Sequence, residues 1–302
     1  MSSPMPAYSG ILQIADGNYA LQNGYALDGR AGMYARSARG HTVSNCQLIV
    51  GAKDAVLLDT GFTLHRDSIR DQLVSTLGRH GGRQLQIFPL RLQEPNSASN
   101  CMYLAEQLPG TGFYGVLPRV DSWVNFQPGA ELTTPGLDLL RTTQGPVKTT
   151  VISGAHTLDL GDRKVDVFTA PIRTIATRWL FDHKTGTLFT SDMFSHMYQG
   201  AASGPWRIDS TSEQDARGKF RSFLLGCRYW WLPGADTAAI VKPLRETFEK
   251  YDVRAIAPAG GAVLIGREVV RQHADILLDL LQELGRPKIE PRYIPLHEVD
   301  AI

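Results

Sequence analysis

Short apolar runs separated by turn residues open the chain and predict β-strands. Residues 11–15 and 19–27 are two such runs, and an Asp-Gly turn pair at 16–17 lies between them. Residues 46–50 and 55–59 are two further apolar runs that flank a four-residue turn, which predicts a β-hairpin. The second strand of this hairpin is apolar on both faces, so we expect it to be buried on both sides.

A helical spacing of apolar residues replaces the strand pattern after this hairpin. Ile69, Leu73 and Leu77 fall on one helical face, and a Gly-Gly pair ends the segment. The apolar run 85–90 then predicts another strand, and a helix that carries Leu104 is expected after a loop. This order of strand, helix, strand and helix favours an α/β fold.

The second half of the chain repeats the alternation. Strands are predicted at 157–160, 164–169, 176–181, 187–190 and 253–257. Helices are predicted from Ser210 onward, at 235–251 and at 267–284. No linker or low-complexity segment divides the sequence, so we expect a single domain, residues 1–302, built of two similar halves.

Composition and charge narrow the classes of partner and compartment. The chain has 31 Lys and Arg against 30 Asp and Glu, a net charge of +1, so nothing favours binding to nucleic acid or to an anionic membrane. Its three cysteines include no C-x-x-C pair, which provides neither a zinc ribbon nor a disulfide framework. No signal-peptide pattern and no apolar run of about 18 residues occur, so we expect a cytoplasmic protein.

Five stretches of the chain carry a resemblance to a known fold. They are residues 44–50, 56–61, 157–162, 169–171 and 188–194, and they include an Asp-Thr-Gly turn and a Ser-Asp pair. The first two resemble the opening strands of the metallo-β-lactamase fold. The other three are similar, in order and spacing, to the flavodiiron and oxygen-binding diiron branch of that fold. The resemblance implies an α/β fold, a four-layer αββα sandwich of two mixed sheets.

The same resemblance implies a pair of irons held by imidazoles and carboxylates. The branch uses a first-loop H-x-E-x-D-H motif, a His after an Ala-Pro pair, the aspartate of the Ser-Asp pair and a late His. In this sequence the corresponding positions hold Leu92, Glu94, Asn96, Ser97, Arg173, Asp192 and Gly260. All four histidines are missing and two carboxylates remain, so we expect a degenerate site without metal and no cofactor.

Glu94 and Asp192 are then expected to face each other in a partly desolvated cleft. Two close carboxylates do not both ionise readily, so we predict that the Arg173 guanidinium bridges them as a charge-assisted fork. These three residues are the candidate catalytic groups. If the fork is buried, Arg173→Ala costs about 3–5 kcal/mol.

Three interpretations of this cluster stay open. The first is an ion-pair cluster that only fills an obsolete cavity, the second is a polar pocket, and the third is a rebuilt metal site. A pocket would bind an anionic or carbonyl-bearing small molecule through Arg173, Ser97 and Asn96, with Arg178 as a further candidate on a strand. A rebuilt site would hold iron or zinc through a substitute ligand, for which His196 is the candidate.

Three function classes correspond to these interpretations. The first is a metal-free protein that binds a small organic molecule or transforms it by acid–base chemistry, and we favour it. The second is a metal-dependent hydrolase or an oxygen-active diiron oxidoreductase. The third is a non-catalytic regulatory or scaffold protein. The resemblance also implies a homodimer, a structural role for Asp59 in the floor of the cleft, and no flavodoxin-like domain after residue 285.

Overall fold

A computed structural model describes residues 7–91, 94–115, 141–143, 145–212 and 215–285 of the protein. The strands are β1 (Tyr8–Ala15), β2 (Asn18–Leu27), β3 (Gly40–Val50), β4 (Asp54–Leu58), β5 (Gln84–Phe88), β6 (Gly112–Gly115), β7 (Arg141–Thr142), β8 (Gly145–Pro146), β9 (Thr149–Val151), β10 (His156–Asp159), β11 (Lys164–Thr169), β12 (Arg178–Asp182), β13 (Thr187–Ser191), β14 (Arg207–Ile208), β15 (Ala255–Pro258) and β16 (Val263–Ile265). The helices are α1 (Arg66–Arg79), α2 (Pro95–Ala98), α3 (Cys101–Gln107), α4 (Ala216–Gly226), α5 (Ala238–Lys250) and α6 (Arg267–Leu284).

Two mixed seven-stranded sheets form the framework. The first has the strand order β1-β2-β3-β4-β5-β6-β9, and the second has the order β10-β11-β12-β13-β15-β16-β14. The chain divides into two compact units. Unit 1 comprises Met1–Asn23, Ser44–Thr169 and Ile175–Thr185, and unit 2 comprises Gly24–Val43, Ala170–Thr174 and Gly186–Ile302.

In unit 1, the predicted hairpin is confirmed and leads into a parallel pair. Strands β3 and β4 pair antiparallel, and β4 is buried after its first residue, as its apolar sequence requires. Strand β5 then pairs parallel to β4, with Leu58 opposite Phe88. Because parallel strands end at the same edge of a sheet, the residues that follow Leu58 and Phe88 are brought together.

Unit 2 has the same arrangement at β13 and β15. These strands pair in parallel, with Thr187 opposite Ala255 and Ser191 opposite Pro258. Asp192 therefore follows one strand at the edge where Ala259 follows the other. Both units thus place candidate residues beyond the carboxyl ends of neighbouring parallel strands, which is where open α/β sheets bind ligands.

Most predicted elements are present, and one helix begins later than expected. Strand 164–169 and helix 267–284 match β11 and α6 residue for residue. The helix predicted from Ser210 begins at Ala216, since Asp215 has a left-handed backbone (φ 66°) that lies outside the helical region. Within the described ranges, no helix is both long enough and apolar enough to span a membrane.

A buried ion pair joins three strands of unit 1. Arg163 Nη1 lies 3.0 Å from Asp182 Oδ2, and the side chains are 1% and 0% exposed. Asn18 Nδ2 donates to the same carboxylate oxygen at 2.8 Å, while Asn18 Oδ1 accepts from Arg163 at 3.1 Å. The Thr185 hydroxyl also donates to Asp182 Oδ2, at 2.8 Å. This network fixes the starts of β2 and β11 against the end of β12.

Removal of the Arg163 charge should therefore destabilise the protein strongly. Arg163→Met leaves the Asp182 carboxylate buried without its cation, which we expect to cost about 3–5 kcal/mol in urea unfolding. Arg254→Met is the matched control, because its partner Asp252 is exposed and the pair is open to water. Equal urea midpoints for the two variants would contradict a central role for Arg163.

Candidate functional site

Asp59 is the centre of the polar network in unit 1. It follows β4 directly, has a left-handed backbone (φ 60°) and is 2% exposed. Its Oδ1 accepts from the Leu90 backbone N–H at 2.8 Å and from the Ser97 hydroxyl, and its Oδ2 accepts from Arg91 Nη2 at 3.2 Å. Since Arg91 is fully buried, the carboxylate charge is balanced inside the protein. Asp59 has the backbone contact that the resemblance implies.

The structure places Ser97 and Asn96 in the short helix α2, beside Asp59. Ser97 is fully buried, and its hydroxyl donates to Asp59 and accepts from the Arg91 backbone N–H at 3.1 Å. Asn96 is 6% exposed, and its carbonyl accepts from Gly61 N at 2.8 Å. The Ser97 hydroxyl thus supports the turn after β4, and ligand binding by either residue stays a prediction. The preceding ligand position, Leu92, lies outside the described residues.

Glu94 is half-buried and precedes helix α2. Its carbonyl accepts from the backbone N–H groups of Ser97 (3.0 Å) and Ala98 (3.2 Å), so its main chain begins the helix. Glu94 lies in unit 1, whereas Asp192 lies in unit 2. The predicted approach of the two carboxylates therefore stays a prediction.

Asp192 is paired with an arginine that the sequence did not identify. Its Oδ2 accepts from Arg228 Nη1 at 2.6 Å, and the two side chains are 7% and 17% exposed. Arg228 follows helix α4, and Asp192 follows the fully buried strand β13. The short distance and low exposure make this a strong charge-assisted hydrogen bond.

Arg173 does not make the predicted contact with Asp192. It is exposed, and its Nη1 donates to the carbonyl of Ala170 at 2.6 Å, within its own loop. The expected fork is therefore wrong in its Arg173–Asp192 half, because Arg228 already neutralises that carboxylate. Arg178 lies on β12 opposite Thr169 and donates to the Thr169 hydroxyl, which is an ordinary cross-strand contact.

His196 is fully buried, and its imidazole contacts helices. Its Nε2 shares a hydrogen bond of 2.9 Å with His273 Nδ1 on α6, and its ring stacks on Phe220 of α4 at 3.8 Å. Burial holds the pKa of His196 well below its usual value and lowers that of His273 to about 4. Because the Nε2 atom is bonded to His273, the structure gives no support to His196 as a substitute metal ligand.

Gly260 stands where the resemblance implies the late histidine, and its surroundings are crowded. Its N–H donates to Ser195 Oγ at 3.2 Å. A Cβ on Gly260 would lie 3.2 Å from Met33 Sδ and 3.4 Å from the Val43 carbonyl oxygen, so an imidazole there would have to displace Met33.

These contacts test whether a pair of irons fits the residues present. Ser97 is bonded to Asp59, Asp192 is paired with Arg228, and Arg173 is a cation. Among the residues that the structure describes, no three or more His, Cys, Asp or Glu side chains are grouped to hold a metal. Imidazole donors are thus lacking at these positions, so the residues present do not fit the dinuclear iron site that the resemblance implies.

The two arginines should behave differently when they are replaced. Arg228→Met leaves the Asp192 carboxylate nearly buried without a cation, so we expect a loss of about 3 kcal/mol in urea unfolding. Arg173→Met removes an exposed contact and should change stability by less than about 0.5 kcal/mol. A larger loss of stability for Arg173→Met than for Arg228→Met would support the predicted Arg173 fork and contradict the Asp192–Arg228 pairing.

Comparisons with known proteins bear on the fold. No protein-family model matches the chain, and no curated protein matches it. Among solved structures, it is similar to the metal-soaked Flv1 flavodiiron core of Synechocystis sp. PCC6803, with 18% identity, TM-score 0.64, and coverage of 91% of this chain and 62% of that chain. It is also similar to the rubredoxin oxygen:oxidoreductase of Desulfovibrio gigas, with 15% identity, TM-score 0.64, and coverage of 90% and 62%.

A third similar structure is a metallo-β-lactamase from Pontibacter korlensis, with 12% identity, TM-score 0.52, and coverage of 91% of this chain and 99% of that chain. The match thus extends over nearly the whole of the smaller protein but only 62% of the two larger ones. At these identities the similarity concerns the fold. The predicted fold class is confirmed: the chain has the α/β metallo-β-lactamase-like fold of the flavodiiron cores, with two mixed sheets and helices.

Proposed function

We propose that the protein binds a small organic anion or carbonyl compound, without metal, in the former metal cleft. The contact that supports this best is the Asp192–Arg228 ion pair beyond the carboxyl end of β13. In the fold that the chain resembles, this aspartate is a metal ligand. Here a guanidinium, which stays protonated at any ordinary pH, supplies the positive charge instead.

Arg228 is suited to a ligand with an oxygen-centred negative charge or dipole. Its side chain is 17% exposed, so part of it is open to solvent. The planar fork of a guanidinium matches carboxylate, phosphate and carbonyl oxygens in geometry. We therefore assign to Arg228 the charge-stabilising role predicted for Arg173.

Hydroxyl groups beside the pair add hydrogen-bonding capacity. Ser191 is 2% exposed, has an uncommon left-handed backbone (φ 56°), and its Oγ has no hydrogen-bond partner in the described part of the chain. A buried hydroxyl without a partner is costly, and strained backbone collects at functional sites. Both features favour a polar ligand next to Asp192 over an apolar one.

The chemistry open to this arrangement is acid–base chemistry. Asp192 and Glu94 are the candidate proton acceptors and donors, and Arg228 would stabilise negative charge that develops on a bound carbonyl or carboxyl group. We propose that the protein acts in the cytoplasm as a homodimer, as the resemblance implies. Light scattering on the purified protein measures the dimer directly.

A metal-dependent function is the second candidate. It is favoured by the similarity to flavodiiron structures, among them a rubredoxin oxygen:oxidoreductase. In that case substitute ligands, or residues outside the described ranges, would complete an iron or zinc site. Metal content separates this candidate from the first.

The first test is the metal content of tag-free protein from cells grown with iron, zinc and manganese. We expect fewer than about 0.1 metal ions per chain by mass spectrometry, because an Asp192 carboxylate paired with Arg228 competes poorly for a cation. One or two ions per chain that are lost in Asp192→Asn would show that the metal-dependent candidate is correct.

The second test is binding of simple anions. Acetate, pyruvate, benzoate and inorganic phosphate are titrated by calorimetry against the wild type, Arg228→Gln and the control Arg173→Gln. We expect at least one of these anions to bind the wild type, with affinity about 10-fold or more weaker in Arg228→Gln and unchanged in Arg173→Gln. Equal binding by all three proteins would place the anion elsewhere. Metal-free protein that binds none of these probes would favour a regulatory or scaffold role.

A further inference from the structure

The segment that carries Asp192, residues 192–199, is held in unit 2 by several contacts, and one of them is chemically unusual. Ser195 is fixed twice: the Tyr34 hydroxyl donates to its carbonyl at 2.7 Å, and Gly260 N donates to its hydroxyl at 3.2 Å. These contacts do not change with pH in the ordinary range. The contact between His196 and His273, at 2.9 Å, does depend on which ring nitrogens carry protons.

In the neutral pair, the two nitrogens that face each other share a hydrogen bond, whereas the second nitrogen of each ring lies outside it. One imidazole donates and the other accepts across the 2.9 Å contact. His196 Nδ1 and His273 Nε2 have no partner among the residues that the structure describes. An added proton would therefore create a buried charge, and at His273 Nε2 a buried N–H without an acceptor among the described residues, which is unfavourable.

The surroundings oppose the added charge further. Phe220 stacks on His196 with the ring planes only 7° apart, and it offers no polar atom. Burial, His273 and the positive charge of Lys219 on the same helix all lower the pKa of His196, in that order of size, and a smaller backbone interaction with Phe194 opposes them. Burial alone lowers the pKa of His273, and the Asp192 carboxylate on the same segment is bonded to Arg228.

We propose that His196 and His273 form an acid-sensitive latch, which holds residues 192–199 on helix α6 while both rings are neutral and releases them when one ring gains a proton. Release exposes the ring to water, where the imidazolium is stable, so acid favours the open form. A consequence that rests on the proposed function is that acid also weakens anion binding at the Asp192–Arg228 pair.

Hydrogen–deuterium exchange between pH 7 and pH 4.5, corrected for intrinsic exchange rates, tests the latch without any ligand. An imidazole with pKa about 6.5 when open and about 4 when closed should increase opening of residues 192–199 about 50- to 100-fold over this range. Helix α5 (Ala238–Lys250), in the same unit, is the internal reference and should keep its protection.

Two variants complete the test. The double variant His196→Gln/His273→Gln removes both titrating rings and should reduce the pH dependence of residues 192–199 at least about 10-fold, because burial lowers the pKa of each ring. His65→Gln removes another fully buried histidine, in unit 1, with pKa also lowered to about 4, and should leave that dependence intact. If the double variant does not fold, the two single variants are measured, and each should reduce the pH dependence without abolishing it.

The latch is wrong if the double variant and His65→Gln show the same pH dependence in residues 192–199. It is also wrong if α5 loses protection in parallel with these residues, because acid then unfolds the unit as a whole. Since these outcomes involve no anion and no metal, they are independent of the tests of the proposed function.

Discussion

A carboxylate placed at the end of a buried strand must be neutralised within the protein, and this constraint organises both units. Asp59, Asp182 and Asp192 stand at or directly after the carboxyl ends of β4, β12 and β13. Each is nearly buried, and each has an arginine from its own unit within 3.2 Å. A buried carboxylate without its arginine would cost several kcal/mol of folding free energy. The same need for a cation therefore fixes the positions of the segments that carry Arg91, Arg163 and Arg228.

The arginine pairs also explain how buried carboxylates are tolerated at the carboxyl ends of these strands. At Asp192, Arg228 takes the positive charge that the resemblance assigns to a metal ion. Around Asp59, the Ser97 hydroxyl and the Leu90 backbone N–H complete the hydrogen bonds that an ionised carboxylate requires. Local electrostatics thus keep these positions polar.

Local patterns in the sequence were sufficient for the framework but not for the site. Strand β11 and helix α6 show strong two-residue and 3.6-residue periods, and both were predicted residue for residue. The Asp192–Arg228 pair joins residues 36 positions apart, and the His196–His273 pair joins residues 77 positions apart. No periodicity connects residues that are so far apart in the chain. The prediction names Arg173 because this residue occupies a ligand position in the resembling family. Its side chain turns back to Ala170, which only the loop conformation determines.

The chain shares 18% and 15% sequence identity with the two flavodiiron structures. Such low identity is consistent with a framework that follows from local patterns and a site that does not. Backbone geometry at the strand ends is demanding: Asp59 and Ser191 have left-handed φ values of 60° and 56°, and the parallel register fixes which residues follow each strand. These requirements concern the main chain and the charge balance, and many side chains at the metal-ligand positions satisfy them. The fold is therefore compatible with Gly260, Ser97 and Arg173 at positions where the resemblance implies imidazoles, provided that each buried carboxylate keeps a cation.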